Sequence, residues 1–236
     1  MAPSLLRGDG RCLRIGHRGA APLAAENTLA SFEAAIEAGV DGVEFDVVSG
    51  PQGLEVAHAL GAPDAPVLDE ALAFFAQHDV TVQIDLKGRG REAELVHAVR
   101  RHRLSERVLV SSFKTRSLLA LGVLAPDLSL AFTYPEDRLG LSRTRPFAFA
   151  VRGGLSAMRA LLPRRIAAMV ARVGASAATL HHQLVTPQAV EMCHARGTAI
   201  WAWTVNDPAT AAQLETTGVD AIITDDPRIF RSHPFE

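Results

Sequence analysis

The feature that most constrains this chain is a repeated alternation between short Val- and Ile-rich runs and segments with helical spacing. The runs are Leu13–Gly16, Gly42–Val48, Thr81–Leu86, Arg107–Ser111, Leu128–Phe132, Ala177–His181, Ala199–Val205 and Ala221–Thr224. Between them, Leu29, Phe32 and Ile36 recur at i, i+3 and i+7, and Leu95, Val96 and Val99 share a face in the same way. Such spacing predicts helices that pack one apolar face against a sheet. Alternating strands and helices imply parallel strands joined by crossover helices. Eight such units fit a closed (β/α)8 TIM barrel at least as well as an open doubly wound sheet, and periodicity alone does not separate the two. A length of 236 residues suits one domain over the whole chain, with the barrel expected over roughly residues 13–230.

Charge and cysteine content narrow the function classes. With 24 Lys and Arg against 26 Asp and Glu, the net charge is −2, and nothing overall favours nucleic acid, which calls for a basic face. Cys12 and Cys193 are far apart and in no metal-ligand spacing, which argues against a zinc ribbon or a disulfide framework and suits a reducing compartment. The segment Met1–Arg14 lacks the apolar stretch of a secretory signal, and no run of 18 uncharged apolar residues occurs. A cytoplasmic protein is therefore expected. From Arg138 to Arg172 there are eight Arg and no Asp or Glu, beside the apolar Leu155, Met158, Leu161 and Leu162. A basic amphipathic helix of that kind either rests peripherally on an anionic membrane or covers the barrel exterior, and both readings stay open.

The residues able to do chemistry cluster at predicted strand ends, where barrel enzymes carry their active sites. His17 and Arg18 follow the first strand, and Glu26 precedes the first helix, for which Asn27 or Thr28 is a suitable N-cap. Glu44 and Asp46 are i and i+2 on the second strand, so both carboxylates point to one side. Two carboxylates that close share a proton, hold a cation or stay solvated, and hard oxygens suit Mg²⁺ or Ca²⁺ better than zinc. Asp85 and Lys87 repeat the spacing on the third strand, and His58 closes a short extended stretch, Leu54–His58, behind the turn at 51–53. Two imidazoles, three carboxylates, an Arg and a Lys on one rim match the needs of phosphoryl transfer: a divalent ion, cations for phosphate oxygens and two groups that titrate near neutrality.

In this order the residues resemble the glycerophosphodiester phosphodiesterase family. The matching pieces are residues 15–19 (IGHRG), 26–28 (ENT), 39–46 (GVDGVEFD), His58, 66–72 (PVLDEAL), 84–87 (IDLK), 111–113 (SSF), 125–127 (APD), 203–206 (WTVN) and 218–227 (GVDAIITDDP). The resemblance implies a TIM barrel of the phospholipase C-like phosphodiesterase type. It also implies a divalent metal, Mg²⁺ or Ca²⁺, and hydrolysis of a small-molecule or lipid phosphodiester to an alcohol and a phosphomonoester. By position it makes Glu44 and Asp46 metal ligands, with Asp85 in a third ligand place usually held by Glu. His17 and His58 take the places of the paired acid/base groups, with His17 the expected base. Arg18 and Lys87 occupy phosphate-contact positions, Lys87 among the catalytic groups. Glu26 and Trp203 line the pocket, and Asn27 is structural.

Three departures from the family pattern carry expectations of their own. Asp85 reaches roughly 1 to 1.5 Å less far than Glu, which predicts weakened metal affinity. Ala59 stands where Asp usually follows the histidine, leaving Glu55 and Asp64 as candidate partners for His58. Only residues 59–65 separate His58 from Pro66, so the small cap insertion of the family is absent. An open site of this kind predicts a preference for lysophospholipids or other large phosphodiesters. Two other readings are a phospholipase D or sphingomyelinase D-like enzyme that forms a cyclic phosphate, and a non-catalytic phosphate-binding barrel.

Overall fold

The computed structural model of the chain describes residues 5–6, 10–51, 53–62, 65–135, 161–163 and 165–232. In chain order its elements are β1 (Leu13–His17), α1 (Leu29–Glu37), β2 (Gly42–Gly50), β3 (Gly53–Val56), α2 (Leu68–Phe75), β4 (Thr81–Leu86), α3 (Glu92–Arg101), β5 (Val108–Ser112), α4 (Thr115–Leu124) and β6 (Ser129–Tyr134). Helical residues 165–173 (α5), β7 (Ala177–His181), α6 (Pro187–His194), β8 (Ala199–Trp203), α7 (Pro208–Thr217) and β9 (Ala221–Thr224) complete it. Eight strands pair in parallel in the order β1-β9-β8-β7-β6-β5-β4-β2, and β1 also pairs with β2, so the ring is closed. The open doubly wound alternative is thereby excluded. β3 is antiparallel to β2 and forms a hairpin outside the ring.

Strand alternation sorts side chains into two cores. On β2, Val43, Phe45 and Val47 point outward to the helices, and Phe45 stacks on Phe75 of α2 at 5.6 Å and meets Phe32 of α1 at 5.4 Å. That aromatic anchor fixes the strand's phase, because a one-residue slip would expel Phe45 from the helix layer. Glu44 and Asp46 must then face inward. The lower barrel interior is filled by Ile15, Leu109, Ala131, Ala177, Ala199, Ala221 and Trp201, the alanines leaving room for the indole. Leu5 plugs this end, and its carbonyl accepts the Trp201 indole N–H at 3.4 Å.

Some element ends differ from the sequence expectation. β2 runs on to Gly50 because β3 pairs with it, and β8 stops at Trp203 rather than Val205, where the chain turns toward α7. Thr28, not Asn27, caps α1, its hydroxyl accepting the Ser31 N–H at 3.2 Å. Most of the arginine-rich stretch, residues 136–160 and Arg164, lies outside the described residues; Arg165 and Arg172 on α5 are exposed. Among the described residues no helix is long and apolar enough to cross a membrane.

Candidate active site

The upper interior of the ring is polar. Ligand oxygens of Glu44, Asp46 and Asp85, all buried, lie within 4.8 Å of one another. Asp85 is held from below: its Oδ1 accepts the Ser111 hydroxyl at 2.8 Å and the Thr133 hydroxyl at 3.4 Å, and Gln83 donates to Ser111 at 3.0 Å. Lys87 lies between two of the carboxylates, bonded to Asp85 Oδ2 and 2.7 Å from Asp46 Oδ1. Its charge, expected from sequence to meet phosphate, is thus committed to the acidic cluster. Burial alone would lower its pKa, but Asp85, Asp46 and Glu44 together raise it.

Asp46 is the hub. Its Oδ2 lies 2.9 Å from both Arg18 Nε and His58 Nδ1, and its backbone N–H donates to Asn27 Oδ1 at 3.1 Å. Burial works against its ionisation, yet His58, Lys87 and Arg18 hold the carboxyl well below its ordinary range. The Asn27 amide reaches this strand because the chain turns through left-handed geometry at Arg18 (φ 52°), Gly19 (φ 89°) and Asn27 (φ 59°). A Cβ on Gly19 would sit 2.2 Å from the Ser31 hydroxyl, so only glycine fits there.

His58 reaches Asp46 because the β2–β3 hairpin doubles back: the Ala57 N–H donates to the Asp46 carbonyl at 3.1 Å. The proposed partners for this histidine require correction. Asp46 orients it; Glu55 turns away to lie over Gly50, and Asp64 lies outside the described residues. A carboxylate only accepts and a guanidinium only donates, so Nδ1 is a donor where it pairs with Asp46 and an acceptor where it pairs with Arg18, and Nε2 has no hydrogen bond among the described residues. Arg18 Nη2 approaches the same Nδ1 at 2.9 Å, while Nη1 spans both Glu26 oxygens at 3.0 and 3.1 Å.

His17 has a partner that the sequence reading missed. Its Nδ1 lies 2.5 Å from Asp225 Oδ1, just past β9, and its Nε2 lies 3.8 Å from Glu44 Oε2. Burial would lower its pKa, but Glu44 and Asp225 raise it. Asn206 fixes Asp225 from behind, donating Nδ2–H to Oδ2 at 2.5 Å and accepting the Asp225 N–H at 2.9 Å. The i, i+2 rule applied to Glu44 and Asp46 would have flagged Asp225 as the inward residue after Ala221 and Ile223.

The rest of the mouth is aromatic. Trp203 donates its indole N–H to the Thr179 carbonyl at 3.1 Å and meets Phe113 and His181 edge-on. Phe113 lies 5.3 Å from the Lys87 ammonium. Glu26, Asn27 and His58 line a cavity of about 330 Å³ with Val56, Ala57, Ala59, Leu60 and Ala62. Of the site residues named from sequence, Glu26 and His58 line this cavity; Arg18, Asp46, Asp85 and Lys87 join them through the ion pairs above, His17 lies beside Glu44, and Trp203 reaches Lys87 through Phe113.

The donor set fits a hard divalent cation. Asp46 Oδ1 is buried with no directed hydrogen bond, and burial pushes the Glu44 carboxyl up to about 7, with Asp46 and Asp85 adding to the effect and His17 and Lys87 opposing it. Three buried carboxylates with converging oxygens are what a Mg²⁺ or Ca²⁺ site offers.

Comparison with known proteins points the same way. The profile of the glycerophosphoryl diester phosphodiesterase family matches residues 17–54 and 68–229. A glycerophosphodiester phosphodiesterase from Caldanaerobacter subterraneus subsp. tengcongensis is 26% identical, over 92% of this chain and 95% of that protein. A structure from Silicibacter pomeroyi DSS-3, assigned as a glycerophosphoryl diester phosphodiesterase, superposes with a TM-score of 0.77 at 26% identity, covering 97% of this chain and 95% of the other. An Oleispira antarctica phosphodiesterase solved with its product sn-glycerol-3-phosphate shares the fold, with a TM-score of 0.70 at 22% identity over 94% of this chain and 96% of that one.

Proposed function

Because the chain belongs to the glycerophosphoryl diester phosphodiesterase family, we propose that it is a metal-dependent hydrolase that cleaves a glycerophosphodiester or a lysophospholipid to an alcohol and a phosphomonoester. The observation that carries this reading is the convergence of a buried three-carboxylate cluster with two histidines, each tied to its own carboxylate, Asp225 for His17 and Asp46 for His58.

In this proposal Glu44, Asp46 and Asp85 hold the divalent ion, which when bound supplies charge neutralisation and polarisation of a phosphoryl oxygen. His17 keeps its proton on Nδ1, facing Asp225, so Nε2 is the basic edge turned toward the carboxylate cluster. It takes the proton of the attacking hydroxyl. His58, tied to Asp46, is the acid that delivers a proton to the leaving alkoxide. Arg18, fixed by Glu26 and Asp46, offers its remaining Nη2–H to an equatorial oxygen, with Lys87 completing the positive field. Water as nucleophile releases the monoester directly; an adjacent substrate hydroxyl would form a cyclic phosphate first, which phosphorus NMR of the reaction distinguishes. Hydrolysis of bis(4-nitrophenyl) phosphate that stops with EDTA and returns with Mg²⁺ or Ca²⁺ tests the whole reading. Turnover indifferent to EDTA would end it.

The finer substrate preference rests on the cavity beside His58. Its walls are largely methyl groups from Ala57, Ala59, Ala62 and Leu60, and about 330 Å³ exceeds the needs of a small polar alcohol. Lysophospholipids or similarly bulky diesters are the proposed substrates, with α5 Arg165 and Arg172 available to an anionic surface. A clear preference for glycerophosphocholine over lysophosphatidylcholine would refute that choice.

A further inference from the structure

We propose that His181 is a specificity-determining residue of this active site, its Nε2–H donating a hydrogen bond to a hydroxyl on the polyol half of the substrate. The inference rests on the phosphodiesterase reading of the mouth and adds a third histidine whose role differs from those of His17 and His58.

Position comes first. On β7 the inward phase runs Ala177, Thr179, His181; Ala177 is in the apolar barrel core, and the Thr179 hydroxyl bonds to Thr133 at 2.7 Å in the polar layer that supports Asp85. His181 is the next inward residue, about 6.6 Å nearer the mouth at 3.3 Å per residue. In the ring order β7 is four strands from β2 in either direction, so His181 stands across the barrel from Glu44 and Asp46. A substrate lying over the carboxylates is therefore bounded on its far side by β7.

The ring's chemistry follows from its contacts. His181 is paired in register with Trp203, the two rings 5.5 Å apart at 81°, and Trp203 meets Phe113 at 6.1 Å and 83°. His181 is thus the polar member of an otherwise apolar aromatic wall. Its Nδ1 accepts the Gln183 backbone N–H at 3.3 Å, so the ring proton resides on Nε2. Nε2 has no partner among the described residues. Burial, and then the stacked ring of His182 at 4.5 Å, lower its pKa to about 4, so the ring is neutral at pH 7. A neutral imidazole with its acceptor edge occupied is a fixed donor rather than an acid/base catalyst. It suits a hydroxyl, while Trp203 and Phe113 cover the C–H face of the same polyol.

Calorimetric binding of sn-glycerol-3-phosphate and of methyl phosphate to metal-loaded protein tests this without turnover. Wild type should bind the glycerol ester about tenfold or more tightly than methyl phosphate, which has no alcohol hydroxyl. His181→Phe should lose about tenfold for the glycerol ester and stay within about twofold for methyl phosphate. His181→Gln, which keeps an N–H donor, should recover much of the loss. Equal losses on both ligands, no loss on either, or a wild type without the preference would overturn the proposal. A protein with the predicted binding pattern but no hydrolysis would instead sink the hydrolase reading and leave this one standing.

Discussion

Replacing Asp225 with Asn isolates what the partner of His17 contributes. Asn206 Nδ2 donates to Oδ2, so an Asn at 225 would present its carbonyl to Asn206 and its NH₂ to His17 Nδ1. The imidazole could meet that NH₂ only by accepting, which moves its proton to Nε2, the edge that has to act as base. The lost interaction is a hydrogen bond to a charged group, worth about 1.5–3 kcal/mol. At about 1.4 kcal/mol per decade, that is roughly a 10- to 150-fold fall in kcat. His17→Ala, which removes the proposed base itself, should cost at least ~10²-fold. KM should change little, because Asp225 need not touch the substrate. The Asp225 side chain is 35% exposed, so thermal unfolding should move little as well. Steady-state kinetics on a glycerophosphodiester, with a melting curve for each variant, give all three readouts. A kcat within twofold of wild type in a folded Asp225→Asn protein would refute the assignment of His17 as an oriented base.

Other perturbations follow from the same contacts. Ser111→Ala removes a donor to Asp85 and strands the buried Gln83 amide, so urea denaturation should show a loss of about 1–3 kcal/mol, and calorimetry should show weaker metal binding; a variant equal to wild type in both would refute the supporting role. Cys12 and Cys193 are buried, and burial pushes the Cys193 thiol up to about 11. A thiol-reactive dye at pH 8 should therefore label the native protein slowly and both cysteines quickly after unfolding; fast labelling of Cys193 in the native state would show that the β8-side packing is wrong.

The fold was legible because eight apolar runs alternate with helix-spaced segments, and closure was not, because periodicity carries no information about whether β1 pairs with β2 and β9. Glu44, Asp46 and Asp85 could be read from the two-residue repeat, since a strand that buries Phe45 outward leaves its neighbours no other direction. Partnerships were harder. The His58 partner lies 12 residues back on the strand that its own hairpin covers, whereas Glu55 and Asp64 are merely the carboxylates nearest in sequence. The two-residue spacing puts Lys87 beside Asp85, but which anion claims an ammonium among three carboxylates depends on sub-ångström geometry. Asp225 escaped because its contact with His17 spans 208 residues. His181 escaped for a related reason: its fixed tautomer depends on the local turn at Gln183, not on any motif.

That span of 208 residues has a consequence for the order in which the site matures. The carboxylate cluster draws only on residues 44–85, and His58 meets Asp46 inside one hairpin, so most of the proposed metal site can assemble from the first third of the chain. The oriented His17 waits for β9 to dock between β8 and β1, the contact of greatest sequence separation and so the one with the largest loop to close. A chain stalled before that closure would carry a site able to hold a cation and a phosphate but not a positioned base. Catalysis thus reports that the last strand has found the first, whereas metal binding alone does not.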